Sequence, residues 1–143
     1  MSLLISKNDQ NVLNDSLIQP GVEFVGIINK NGRLVETIGK NVFCDMPDDR
    51  MEMFCMKIAL RSSMQKDFDQ YLGPVNYCMT QRGNARFISI PTSNGNTILA
   101  VTKKDVEPDA VVGHITQTLQ FSNQYVDKKT PNKEQEMTPS ESI

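Results

Sequence analysis

Residues 22–28 read Val-Glu-Phe-Val-Gly-Ile-Ile, and this run narrows the possible folds more than any other part of the chain. Val22, Phe24, Val25, Ile27 and Ile28 fall on both sides of an extended strand, because successive side chains point to opposite faces. A strand that is apolar on both faces belongs in mid-sheet, with a layer packed on each side. Asn29-Lys30-Asn31-Gly32 and a second β-prone run, Arg33 to Ile38, come next. Asn-Gly takes the positive φ angles of a tight turn readily, so the two runs form a hairpin.

The rest of the chain supplies the layers. Asp9 to Ile18 carries Val12, Leu13, Leu17 and Ile18 at helical spacing and is stopped by Pro20-Gly21, which predicts a modest first helix. Pro47-Asp48-Asp49 has the form of a helix start, with proline at the first helical position and acids near the positive end of the dipole. That helix is expected to run to Leu72, where Gly73-Pro74 ends it. Three β-prone runs follow, Val75 to Gln81, Ala85 to Ile90 and Thr97 to Thr102, separated by Arg82-Gly83-Asn84 and Thr92-Ser93-Asn94-Gly95-Asn96, which is a meander. Pro108 and Asp109 open a last helix with Val111, Val112, Ile115 and Leu119 on its inner face, fraying by Tyr125. The predicted class is α+β, a five-stranded antiparallel sheet with helices on both faces, in the order α-β-β-α-β-β-β-α. A single domain over residues 1–126 is expected. Residues 127–143 are polar and aperiodic, so nothing offsets their ordering entropy, and they are expected to be a disordered tail.

Composition excludes several functions. The formal charge is −2, and lysines and arginines are scattered singly or in pairs, with no basic stripe to neutralise several phosphates, so nucleic acid is not an expected partner. No apolar run approaches the ~20 residues that span a bilayer, and the start is too short in apolar residues for a signal peptide, so membrane insertion is not expected and the cytoplasm is. The three cysteines, Cys44, Cys55 and Cys78, are an odd count at wide spacings, as free thiols in a reducing compartment would be. The single histidine, His114, is far from them in sequence, which leaves a zinc site without a fourth soft ligand. Cys55 and Cys78 lie in apolar patterns that keep a thiol neutral, so neither reads as a nucleophile.

Other chemistry-bearing residues have ordinary explanations. Asp48 and Asp49 sit at a helix start, and Asp67 and Asp69 project in different directions on a helix, so neither pair converges on a metal or a substrate. His114 has no acid three or four residues away. The chain has no phosphate-cradling G-x-x-x-x-G-K-S/T loop. Thr130-Pro131 and Thr138-Pro139 have the form of phosphorylation sites, though such pairs are common in polar tails. No cofactor and no enzymatic activity are expected.

The positive signal lies in the long helix. Stepping at 100° per residue puts Met51, Phe54, Cys55, Ile58 and Ala59 on one side, with Met53, Met56, Leu60, Met64, Phe68 and Tyr71 roughly opposite. One side covers the sheet. The other requires a partner to leave water, and flexible thioethers suit an adaptable interface as well as an irregular core. Candidate interface residues are Met51, Met53, Met56, Leu60 and Met64 on the helix, with Val75, Tyr77 and Met79 on the strand after it. That strand is read either as an open edge able to add to another chain or as one protected by Asn76, Thr80 and Gln81.

The element order, with Gly21-Val22 opening an apolar strand and Asn31-Gly32 closing the first hairpin, resembles the Roadblock/dynein-light-chain family of the profilin-like and longin-like group. The resemblance covers about residues 9 to 122 and extends to the small-residue turn at Gly83 and the aliphatic strand Thr97-Ile98-Leu99-Ala100-Val101. Pro47 and the Met-rich helix depart from the alanine and leucine more common there. The resemblance implies a non-enzymatic homodimer or heterodimer, made by pairing third strands edge to edge and packing the long helices, that serves as a scaffold or a platform for small Ras-like GTPases. The alternatives from the residues themselves are a PAS-like small-molecule sensor, since such sheets also enclose pockets, and a small enzyme, for which no nucleophile, base or metal set is found.

Overall fold

A computed structural model describes residues 12–122. Five strands form one antiparallel sheet in the order β2-β1-β5-β4-β3: β1 is Val22–Ile28, β2 Leu34–Gly39, β3 Cys78–Arg82, β4 Ala85–Pro91 and β5 Thr97–Lys103. β1 lies between β2 and β5 and is buried nearly throughout, as its doubly apolar sequence requires. The central position belongs to β5, buried from Thr97 to Thr102.

Alternation along these strands divides the core in two. Val25 and Ile27 of β1, Ile98 and Ala100 of β5, and Ile88 and Ile90 of β4 face a layer made by Leu13, Leu17 and the helix α3, Pro108–Ser122. Val111, Ile115 and Leu119 are the buried face of α3. Phe24, Ile28, Leu99 and Val101 face the other way, toward Cys55 and Ile58 of the helix α1, Asp48–Lys66. A chain of aromatic contacts, Phe24–Phe43–Phe54–Phe87, seals that layer with ring centroids 5.5, 5.7 and 5.8 Å apart.

The β1–β2 hairpin is held by Asn29, whose side-chain oxygen accepts from the backbone N–H groups of Asn31 and Arg33 at 2.9 and 3.0 Å. Gly32 has φ 84°, and a Cβ there would stand 2.9 Å from the Cα of Met56, so the turn tucks under α1 only because the residue is glycine.

Three elements depart from the expected pattern. Of the first helix, residues 9–11 lie outside the described part; residues 12–18 hold only a 3-10 turn, Asp15–Leu17. The Glu36 carboxylate of β2 accepts from Val12 N and Leu13 N at 3.2 and 2.8 Å, which keeps the chain extended there, and Asn14 caps the turn by accepting from Ser16 N. The long helix stops at Lys66, and a separate turn of helix, α2 (Asp69–Leu72), follows. Asp67 and Phe68 donate to carbonyls three residues back, at 3.3 and 3.1 Å, and no residue of α2 is buried, so packing does not hold the last turns in register. β3 begins at Cys78, so Val75 and Tyr77 precede it. Its register with β4 would set Asn76 against Pro91, which has no N–H to give the ladder. The disordered tail expected over 127–143 lies outside the described residues.

The packing makes two stability tests. Leu99 is fully buried under α1, and Leu99→Ala should lower urea-unfolding stability by about 2–5 kcal/mol. Gly39 ends β2 with φ 92°, and a Cβ would stand 2.5 Å from the Glu23 carbonyl oxygen. Gly39→Ala should therefore cost about 1–3 kcal/mol in the same experiment although it removes no contact.

Candidate protein-interaction surface

The two sides of α1 face different surroundings. Cys55 and Ile58 are buried against the sheet, with Met51 and Phe54 packed beside them. On the side turned from the sheet, Met53, Met56, Leu60 and Met64 are 44, 55, 57 and 58% exposed, values that rule out a core role for the described fold. Their spacing of three and four residues aligns them in one stripe. Phe68, Tyr71 and Leu72 follow in sequence, and each is more than half exposed, at 58, 73 and 81%. These exposed apolar side chains make this side of α1 the candidate interaction surface.

The structure thus brings together Met53, Met56, Leu60 and Met64 and separates the other candidates from them. Met51 turns inward, where its sulfur accepts a weak contact from the Cys55 thiol at 3.9 Å. Met79 is exposed but pairs with Ile88, whose side chain belongs to the α3 layer, so it stands on the sheet face away from α1. Val75 and Tyr77 lie beside α3, and the Tyr77 hydroxyl donates to Asp109 Oδ1 at 2.6 Å. That hydrogen bond to a carboxylate raises the Tyr77 pKa above its ordinary value. Phe68, Tyr71 and Leu72 are not among the candidates named from sequence, although Phe68 and Tyr71 share the outer side of the helical projection; all three follow the break after Lys66.

β3 is hydrogen-bonded to β4 alone and forms one edge of the sheet. Its residues Gln81 and Arg82 are exposed and Thr80 half-buried, so the edge is polar in side chains and open in backbone.

Other candidate chemistry resolves into structure. The His114 ring lies in α3, its Nε2 2.9 Å from the Ser16 carbonyl oxygen, tying the 3-10 turn to the helix. Among the described residues no group of three or more histidine, cysteine or acidic side chains is placed to hold a metal, and no helix is long and apolar enough to cross a membrane. All three cysteines are unpaired. One concavity, about 830 Å³, is an open surface groove between α3, residues 75–77 and the end of β4 at Ile90 and Pro91.

Sheet order, helix placement and hairpin geometry define a Roadblock-like α+β fold. It superimposes on the Roadblock/LC7 domain from Streptomyces avermitilis with a TM-score of 0.63 at 10% identity, covering 83% of this chain and 98% of that one. MglB from Myxococcus xanthus gives 0.63 at 10% identity over 84% of this chain and 89% of that one. The gliding protein MglB from Thermus thermophilus gives 0.61 at 9%, over 83% and 87%. In sequence the chain belongs to a family of unknown function, DUF6659, whose model matches residues 2–127. No curated protein matches it in sequence.

Thiol reactivity follows from this placement. Burial pushes the Cys55 thiol up to about 11, while Cys44 is exposed. Iodoacetamide at pH 8, followed by mass spectrometry of the native protein, should label Cys44 first and leave Cys55 unmodified until denaturant is added.

Proposed function

We propose that this protein is a non-enzymatic, dimeric binding platform of the cytoplasm, a homodimer in the first instance, serving as a scaffold or as a regulator of a small Ras-like GTPase. The observation that carries this reading is the double-sided apolar character of α1. One face is used up against Phe24, Leu99 and Val101, and the stripe Met53, Met56, Leu60, Met64 is left about half exposed by the described residues. The open edge of β3 offers a second element for the same partner. Support also comes from the fold, shared with the gliding protein MglB, one structure of which has a tetrameric arrangement. The three free thiols suit a reducing compartment.

Sedimentation equilibrium at micromolar concentration tests the dimer. The native chain should sediment as twice its 16.1 kDa mass. Leu60→Glu and Met56→Glu place a charge in the stripe that must be desolvated on association. At about 2 kcal/mol or more each, they should weaken the dimer at least thirtyfold with unchanged circular dichroism. A strict monomer whose mass and solubility ignore both substitutions would refute the reading. The GTPase part is tested separately by light scattering of the chain mixed with purified small Ras-like GTPases in their GTP and GDP forms. A complex with one nucleotide state is expected, and absence of any complex removes that part while leaving the dimer standing.

A further inference from the structure

A groove of about 160 Å³ lies between α1 and β3 on the α1 face of the sheet. Its floor is apolar: Phe54 and Ile58 come from the helix, Phe87 and Leu99 from the strands beneath. Its rim carries three cations. Lys57 and Arg61, one helical turn apart, project along the same flank of α1. Arg82 comes from the far end of β3, with its guanidinium carbon 6.0 Å from the centre of the Phe54 ring.

None of the three has a counter-charge. No carboxylate lines the groove, and the one ion pair among the described residues, Lys40 with Glu23, is elsewhere. Arg61 makes only a long hydrogen bond, 3.5 Å, to the Ser89 hydroxyl. Three uncompensated cations around one concavity stand out on a protein whose formal charge is −2.

Size and chemistry together select the occupant. Drug-sized ligands take pockets of about 300–1,000 Å³, which this groove does not reach; it accommodates one amino-acid side chain. A bare inorganic anion would leave the half-buried rings of Phe54 and Phe87 unused, and a purely apolar segment would leave three cations unpaired. Charge complementarity and the apolar floor are both satisfied by a peptide with carboxylates on each side of one large apolar residue.

We propose that the groove between α1 and β3 docks an acidic segment of a partner protein, seating one apolar side chain on Phe54 and Phe87 and setting its carboxylates on Lys57, Arg61 and Arg82. This proposal does not rest on the dimer proposed above, and the two are read separately in the test. Thr80 and Arg82 extend from β3 into the α1 layer, whereas the backbone groups of the open edge lie in the plane of the sheet.

The test uses the full chain and a fluorescein-labelled synthetic peptide, Glu-Asp-Glu-Phe-Asp-Glu, followed by fluorescence anisotropy. Saturable binding is expected, weakening as salt rises from about 50 to about 300 mM. The double variant Arg61→Glu, Arg82→Glu should lose at least about tenfold in affinity, and replacing the peptide's phenylalanine with serine should lose a similar factor. Arg61 and Arg82 are exposed, so the variant should keep its circular dichroism and melting temperature; if it does not, Lys57→Gln, which only removes charge, should weaken the peptide severalfold. No saturable binding, or equal affinity for the folded variants, overturns the proposal. So does full displacement by millimolar inorganic phosphate together with equal affinity for the serine peptide, which would make the groove a simple anion site. Sedimentation of the same samples reads the dimer separately, so loss of peptide binding with an intact dimer, or the reverse, identifies which proposal has failed.

Discussion

The structure depends on one constraint, the burial of β1 and β5 on both faces. Val25 and Ile27 on one side and Phe24 and Ile28 on the other cannot all leave water unless the sheet carries two layers. Leu13, Leu17 and α3 make one and α1 makes the other, and every other element is placed by that requirement. β2 and β3 become edges because the doubly apolar strands occupy the middle. α1 must lie over Leu99 and Val101, which fixes which of its sides turns inward.

That fixed orientation decides which apolar residues of α1 the fold covers and which it leaves exposed. A helix packed on one sheet face needs one apolar side, and Met51, Phe54, Cys55 and Ile58 provide it. Met53, Met56, Leu60 and Met64 add nothing to the described core, and exposed apolar area of that kind is costly to solubility unless something covers it. Methionine and leucine side chains conform to varied surfaces, so the stripe supplies contact area with little demand on shape.

Most of the architecture was legible because it rests on local rules. The period of two in β1 and β5, the Asn31-Gly32 turn, Pro47 and Pro108 at helix starts and Gly73-Pro74 at a helix end each act within a few residues. What was not legible depends on distant partners. The Glu36 carboxylate reaches back to Val12 and Leu13 and removes a helix that their spacing implies. Pro91 shortens β3 only through the register that sets it against Asn76. The surface divides in the same way: helical periodicity alone found the outer stripe of α1. It could not show that Met79 lies on the opposite sheet face, because that depends on its pairing with Ile88. Nor could it bring Arg82 beside Lys57 and Arg61, which come together only once β3 returns alongside α1.

Affinity, register and selectivity fall on three different features of the surface beside α1. The stripe offers non-directional burial, which favours association without choosing an orientation. The open edge of β3 offers backbone donors and acceptors, which fix the relative placement of two chains but read no side chains. The unpaired cations of Lys57, Arg61 and Arg82 add the missing discrimination, because a basic segment brought to that rim meets repulsion and an acidic one meets three donors. In the dimeric scaffold proposed above, these terms fall on separate residues, so that a change in one leaves the others intact.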